Sequence, residues 1–177
     1  MGLCGAVAAL VIAVGVAYLA FGDGNGGSGS GSGGDKGSAR LAQFSDQGVT
    51  VVIGVKDRSA THATLVATLT PDRPGFHLYS IDLPADGIQG VGRPTSLAVL
   101  GSMSAAGPLA AQTKATTLRL TGTDLALPVY PDGPVTVDLP VTIGGQGGAT
   151  ALVGYAACSE SACLPPVSGH AVQLTVK

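Results

Sequence analysis

Short runs of β-branched and aliphatic residues, separated by Gly, Pro and Asp, fill the chain from Val49 onward. The runs cover residues 49–56, 62–70, 76–82, 96–100, 116–121, 135–143, 149–156 and 171–176. Several alternate as half-buried strands do, for example Val135, Val137 and Leu139, which are separated by polar side chains. Runs of this length with turn residues between them are typical of a β-sandwich, so the sequence predicts an all-β fold.

An uncharged apolar segment, residues 2–21, precedes the β-rich part. It is long enough to cross about 30 Å of hydrocarbon as one helix. Residues 20–22 have small side chains at the two positions that a signal peptidase recognises. The apolar stretch, however, exceeds the roughly 7–15 residues of most cleaved signals. We therefore predict that residues 1–21 are a membrane anchor or signal segment, more consistent with an anchor, and that the rest of the chain is exported.

Residues 22–38 read GDGNGGSGSGSGGDKGS, a composition that cannot bury apolar surface. The sequence predicts a flexible linker over residues 22–40 and one β-sandwich domain over residues 41–177. Charged residues make up 11% of the chain and its net charge is −2. Because no basic surface is available to neutralise phosphates, nucleic-acid binding is excluded.

Two cysteines carry the clearest chemical signal. Cys158 and Cys163 follow the run 149–156 and enclose a polar turn, so they can approach each other to disulfide distance. Pro165, which is followed by a second proline, cannot donate to a sheet and keeps the segment near an edge, where it is accessible. Glu160 lies between the cysteines and disfavours a thiolate through like charge, so we expect modest thiol reactivity.

The spacing of this pair is compatible with three kinds of site. A structural disulfide is plausible in any exported domain. A redox-active disulfide needs the same proximity of two thiols. A metal site would need a further ligand such as His170, but the spacing matches no common zinc pattern.

The stretch from Tyr155 to Pro166, Y-x-x-C-x-x-x-x-C-L-P-P, resembles the cysteine motif of the N-terminal periplasmic domain of the DsbD family of protein-disulfide reductases. Residues 75–79, GFHLY, and 139–143, LPVTI, resemble two strands of that family in the same order. The resemblance spans residues 49–177 and implies an immunoglobulin-like sandwich. It also implies extracytoplasmic thiol–disulfide exchange through Cys158 and Cys163, with Cys163 favoured as the attacking thiol and without a cofactor.

The resemblance also implies partners. The sequence contains neither the multi-span membrane domain nor the thioredoxin-like domain of DsbD, so a separate DsbD- or CcdA-type membrane reductase would supply electrons. An exported thioredoxin-like or disulfide-isomerase protein would accept them, in a relay of the kind that serves cytochrome c maturation. The alternative is a non-catalytic, immunoglobulin-like binding or assembly module that is stapled by a structural disulfide.

Further site residues follow from the same resemblance. In the family a loop covers the cysteines, and residues 123–130 are the candidate here, beginning at Thr123 and Asp124, with Leu127 or Tyr130 as the covering side chain. His77 and Tyr79 correspond to positions near the family's cysteines. Because they are two residues apart in one run, they are expected on the same face of a strand.

Overall fold

A computed structural model describes residues 38–144 and 147–174. These residues belong to one compact unit that spans Asp35–Lys177. The predicted N-terminal helix and the predicted linker up to residue 37 lie outside the described residues. Within the ranges that are described, no helix is long and apolar enough to cross a membrane.

The strands in the described part of the chain are β1 (Ala39–Asp46), β2 (Val49–Lys56), β3 (His62–Pro71), β4 (His77–Leu78), β5 (Ser96–Gly101), β6 (Met103–Ala105), β7 (Ala110–Ala111), β8 (Thr116–Arg119), β9 (Ala126–Val129), β10 (Val135–Ile143), β11 (Ala149–Tyr155), β12 (Ala157–Cys158) and β13 (Val167–Leu174). No helix occurs between residues 38 and 144 or between 147 and 174. The all-β prediction is confirmed for these residues.

Two antiparallel sheets enclose the main core. The larger has the order β1-β2-β3-β10-β6, with β7 also paired to β10, and the smaller has the order β13-β11-β5. One buried cluster draws side chains from both sheets, including Val51 and Ile53 of β2, Val137 of β10, and Ala151 and Val153 of β11. Because alternate residues of each strand point into this shared cluster, the two sheets face each other as a β-sandwich.

The strands with the strongest alternation begin and end where the sequence predicts. β2 and β10 match their predicted ranges residue for residue, whereas β13 begins at Val167 instead of residue 171. β1 was not predicted because it is a half-exposed edge strand with little apolar alternation. A tight turn joins it to β2, with positive φ at Gln47 (44°) and Gly48 (71°), the backbone geometry of a two-residue hairpin turn.

Two short ribbons lie outside the two main sheets and position the candidate site. β12 pairs with β4, and β8 pairs with β9. A second buried cluster joins the two ribbons; its members are Tyr79, Leu83, Leu127, Val129, Ala156 and Cys158. The predicted strand 76–82 is thus much shorter, since only β4 and an isolated bridge between Tyr79 and Val129 are formed.

Candidate functional site

Cys158 and Cys163 form a disulfide, with a Cα–Cα distance of 4.0 Å. The turn between them is organised by Ser159, whose backbone N–H donates to the carbonyl of Ala162 at 2.7 Å. The Ser159 Oγ accepts from the backbone N–H groups of Ser161 (3.3 Å) and Ala162 (3.1 Å). The predicted proximity of the two cysteines across a polar turn is therefore confirmed.

The two cysteines lie in different surroundings. Cys158 is only 4% exposed, because it belongs to β12 and packs in the second buried cluster. Cys163 lies on the return side of the turn and is exposed, as are Glu160 and Pro165. A protein partner approaching from solvent therefore meets Cys163 before Cys158.

Tyr79 is the polar partner of the buried sulfur. Its hydroxyl donates a hydrogen bond to Cys158 Sγ at 3.3 Å. Burial raises the pKa of Tyr79, so the hydroxyl stays protonated and remains a donor at neutral pH. Gly92 lies against the ring so closely that a Cβ at this position would come within 2.8 Å of Tyr79 Cε1. The ring is thus held in place by backbone on one side.

His77 lies directly opposite Cys158 in the β4–β12 pairing. Its ring meets Tyr79 edge-on, with ring centroids 5.9 Å apart and an interplanar angle of 76°, so His77 and Tyr79 lie on one face as predicted. His77 is 8% exposed, and its Nε2 has no hydrogen-bond partner. Burial lowers the pKa of His77, an effect that the negative charge of Asp132 partly opposes.

The segment predicted as a covering loop has a different structure. Residues 126–129 form β9, and only the part that includes Asp124 is an exposed connection. Leu127 is fully buried beside Cys158 in the second cluster, so it packs on the inner side of the site. Tyr130 is buried in the main core, and its hydroxyl accepts the Ile81 N–H at 3.0 Å.

Other residues around Cys158 were missed from the sequence. Leu83 belongs to its cluster, and Ile88 and Val91 pack against that cluster from the same loop. The loop closes on itself through reciprocal backbone hydrogen bonds between Ile88 and Val91, at 3.1 and 3.0 Å. The sequence contained a local signal, because a glycine, Gly90, stands between β-branched residues as it does in tight turns. In the structure Gln89 and Gly90 form such a turn, both with positive φ.

An open groove of about 850 Å³ lies beside the disulfide turn. His77 lines it together with Arg119 of β8, Asp132, and Ser159 and Glu160 of the turn. The groove therefore places positively and negatively charged side chains, together with His77, next to the turn that carries Cys163.

His170, the third ligand of the metal alternative, is engaged elsewhere. Its ring stacks on Phe44 with centroids 3.9 Å apart, and its Nδ1 lies 3.0 Å from Asp46 Oδ2. Among the residues that the structure describes, no group of three His, Cys, Asp or Glu side chains could hold a metal ion. The metal alternative thus gains no support from the geometry.

No protein family model matches this sequence, and no curated protein matches it. The fold is similar to that of the N-terminal periplasmic domain of ScsB from Proteus mirabilis, with a TM-score of 0.54 and 12% identity. The match covers 77% of this chain and 51% of that chain, so this chain spans about half the length of the ScsB domain. At this identity the likeness concerns the fold alone.

Two further solved structures have lower TM-scores. The GAE domain of GGA2p from Saccharomyces cerevisiae has a TM-score of 0.38 at 14% identity, covering 78% of this chain and 97% of that one. The KRT10-binding region domain of the pneumococcal serine-rich repeat protein PsrP has 0.40 at 12% identity, covering 78% and 99%. Likenesses of this size carry no argument about the site.

Proposed function

We propose that this domain performs thiol–disulfide exchange outside the cytoplasm through Cys158 and Cys163. The observation that carries the proposal is the asymmetry of the bridge, which has one exposed cysteine and one buried cysteine with a hydrogen-bond donor. The fold likeness to a periplasmic domain supports an extracytoplasmic location. A stable disulfide is also typical of oxidising compartments.

The asymmetry suits a defined order of steps. A partner thiolate attacks the exposed Cys163 Sγ, forms a mixed disulfide with it, and breaks the Cys158–Cys163 bond. The electron pair of that bond leaves on Cys158 Sγ, where the Tyr79 hydroxyl donates to the new thiolate. A second partner thiol then resolves the mixed disulfide, and the domain is left with two reduced cysteines. In the reverse direction, Cys163 attacks a disulfide of the acceptor.

The position of the bridge argues against a mainly structural role. The two cysteines are five positions apart in the sequence, so the bond joins the ends of one turn and connects no distant elements. The chain-entropy estimate for so short a loop is about 2 kcal/mol, against about 4–5 kcal/mol for a loop of a hundred residues. A binding module that needed a staple would gain little from a bond at this place.

The partners belong to the same proposal. A DsbD- or CcdA-type membrane reductase would reduce the pair, and an exported thioredoxin-like or disulfide-isomerase protein would oxidise it. This assignment is supported by the resemblance of the cysteine segment. Residues 1–21 would hold the domain at the membrane, with residues 22–40 as the tether.

A trapping experiment tests the exchange. Cys158→Ser leaves Cys163 as a single exposed thiol, which should form a stable mixed disulfide with exported thioredoxin-like proteins of the same cell. Cys163→Ser is the matched control, because its remaining thiol is buried and should give far fewer adducts. Both variants carry Cys4→Ser, which removes the third cysteine. Adducts are detected by non-reducing electrophoresis and mass spectrometry.

The absence of adducts with Cys158→Ser would reject the relay and favour the binding-module alternative. Equal adduct formation by the two variants would reject the assignment of Cys163 as the attacking thiol.

Reduction of the bond should leave the domain folded, because a relay spends part of its cycle reduced. The loss of about 2 kcal/mol corresponds to a decrease of roughly 6–12 °C in Tm at most for a domain of this size. Thermal unfolding of the oxidised and reduced protein, followed by circular dichroism, measures the difference. Loss of folded structure on reduction would show that the bond is a structural staple.

A further inference from the structure

His77 is a buried polar side chain that the folded, oxidised protein leaves without a hydrogen bond at Nε2. An unpaired buried nitrogen of this kind destabilises the folded protein, because it gives up its hydrogen bond to water without gaining another. The cost falls next to the disulfide, since His77 pairs directly with Cys158 across the β4–β12 ribbon. A buried, unpaired polar atom beside a reactive disulfide points to a functional role for that atom.

The pairing geometry brings the two side chains together. Directly opposite residues of an antiparallel pair point to the same face, with Cβ atoms about 4.5–5.5 Å apart. Tyr79, two residues after His77, shares that face and already contacts both partners, through its ring edge to His77 and its hydroxyl to Cys158 Sγ. His77, Tyr79 and Cys158 therefore form one buried group.

Opening the disulfide changes what Cys158 can reach. While the bond is intact, Cys163 fixes the direction of the Cys158 side chain. Once the bond is broken, Cys158 Sγ can move among the staggered rotamers about its χ1 angle. Of the polar groups on that face, the Tyr79 hydroxyl is a donor, whereas an unprotonated Nε2 of His77 is able to accept a proton.

We propose that His77 is the proton acceptor for Cys158, taking the thiol proton when Cys158 resolves a mixed disulfide and returning it when the bridge opens. The inference rests on the proposed exchange and adds the residue that controls its resolving step. In that step the Cys158 proton moves to His77 Nε2, and the resulting thiolate attacks Cys163 Sγ. The bond between Cys163 and the acceptor breaks, and the acceptor leaves as a thiolate with the electron pair.

The surroundings of His77 allow the proton to be accepted and then released. Burial lowers the pKa of His77 in the oxidised protein, so its imidazole is neutral and free to accept at pH 7. The negative charge of Asp132, which lines the same groove, favours the imidazolium that forms. The open groove that His77 lines together with Arg119 and Glu160 connects this part of the site to solvent.

The test follows the resolving step with oxidised glutathione, a small disulfide that needs no protein partner. The reduced full chain carrying Cys4→Ser is mixed with oxidised glutathione, and the glutathionylated fraction is measured by mass spectrometry over a range of pH values. General-base assistance is worth about 10²–10⁴-fold. We expect His77→Gln to release glutathione at least about tenfold more slowly than the unsubstituted protein at pH 7.

The difference should shrink as the pH rises, because hydroxide then removes the thiol proton without help from His77. His62→Gln is the matched control, since His62 is exposed at the start of β3, and it should behave like the unsubstituted protein. Equal release rates for His77→Gln and the control at pH 7 would overturn the inference. A deficit that is the same at every pH would also overturn it, because it would show a structural effect.

A second measurement needs no substitution at His77. The chain has three histidines, so their ring carbons can be followed separately by NMR in the oxidised and reduced full chain. We expect the ring resonances of His77 to shift on reduction, because its Nε2 then accepts a hydrogen bond from the freed Cys158 thiol, while those of His62 stay in place. His77 resonances that are the same in both redox states would reject the role. Neither result depends on whether a protein partner is trapped, so the two proposals fail separately.

Discussion

Leu127→Ala is expected to lower the free energy of unfolding by about 2–5 kcal/mol, the range for truncating a buried leucine. Leu127 has no exposed surface and packs beside Cys158 in the second cluster. Its truncation leaves a cavity next to the buried sulfur, because the β8–β9 ribbon is short and cannot fill the space by itself. Chemical denaturation of the oxidised protein measures the loss.

The same variant should also be reduced faster by dithiothreitol, since water and thiol can enter the space beside Cys158. Leu100→Ala is the control, because Leu100 is 55% exposed and its truncation should change the stability by no more than about 0.5 kcal/mol. Stability equal to that of the control would contradict the packing of Leu127 against the site.

The second large effect is expected at Gly92, which lies against the Tyr79 ring. A Cβ at this position would come within 2.8 Å of Tyr79 Cε1, and φ is +82°. Gly92→Ala should therefore combine backbone strain of about 1–2 kcal/mol with overpacking of about 1–3 kcal/mol. The displaced ring can no longer hold its hydroxyl at Cys158 Sγ, so the reduction potential of the pair should change as well.

Gly90 provides a matched control in the same loop. Its φ is +79°, but a Cβ there would meet nothing within 4 Å. Gly90→Ala should show only the backbone strain and leave the reduction potential unchanged. Denaturation and equilibration with a dithiothreitol redox buffer give both quantities. If the two variants lose the same stability and keep the same potential, the contact between Gly92 and Tyr79 has no role in the site.

The strands that could be predicted from the sequence are those whose apolar residues alternate strongly. β2 and β10 were assigned with the correct ends because every second residue is a buried Val, Leu or Ile. β9 was expected to be part of the covering loop, because residues 123–130 lie between two predicted strands in the place that the resemblance implies, yet it forms a ribbon with β8. Pairing with another strand decided its conformation, and no local pattern reports such pairing.

The cysteine pair could be predicted because all the information lies within six consecutive positions of the chain. Proximity across so short a turn is a local property, and the structure shows Cys158 and Cys163 bonded. The positions of the side chains around the pair could not be predicted in the same way, because those side chains come from segments that are distant in the sequence. Leu127 and Tyr130 are both buried, in two different clusters.

The sequence by itself determined an all-β domain and the place of a disulfide. Both are local properties, because strand alternation and the spacing of the two cysteines depend only on residues that are close together in the chain. Only the tertiary structure decided that Cys158 is buried and Cys163 exposed. It also decided that the Tyr79 hydroxyl meets Cys158 Sγ across a separation of 79 residues. The pairing of β4 with β12 creates these contacts and leaves His77 Nε2 without a partner. The surroundings that control the reactivity of the two cysteines thus depend on long-range strand pairing, whereas the formation of the bond between them depends on local sequence.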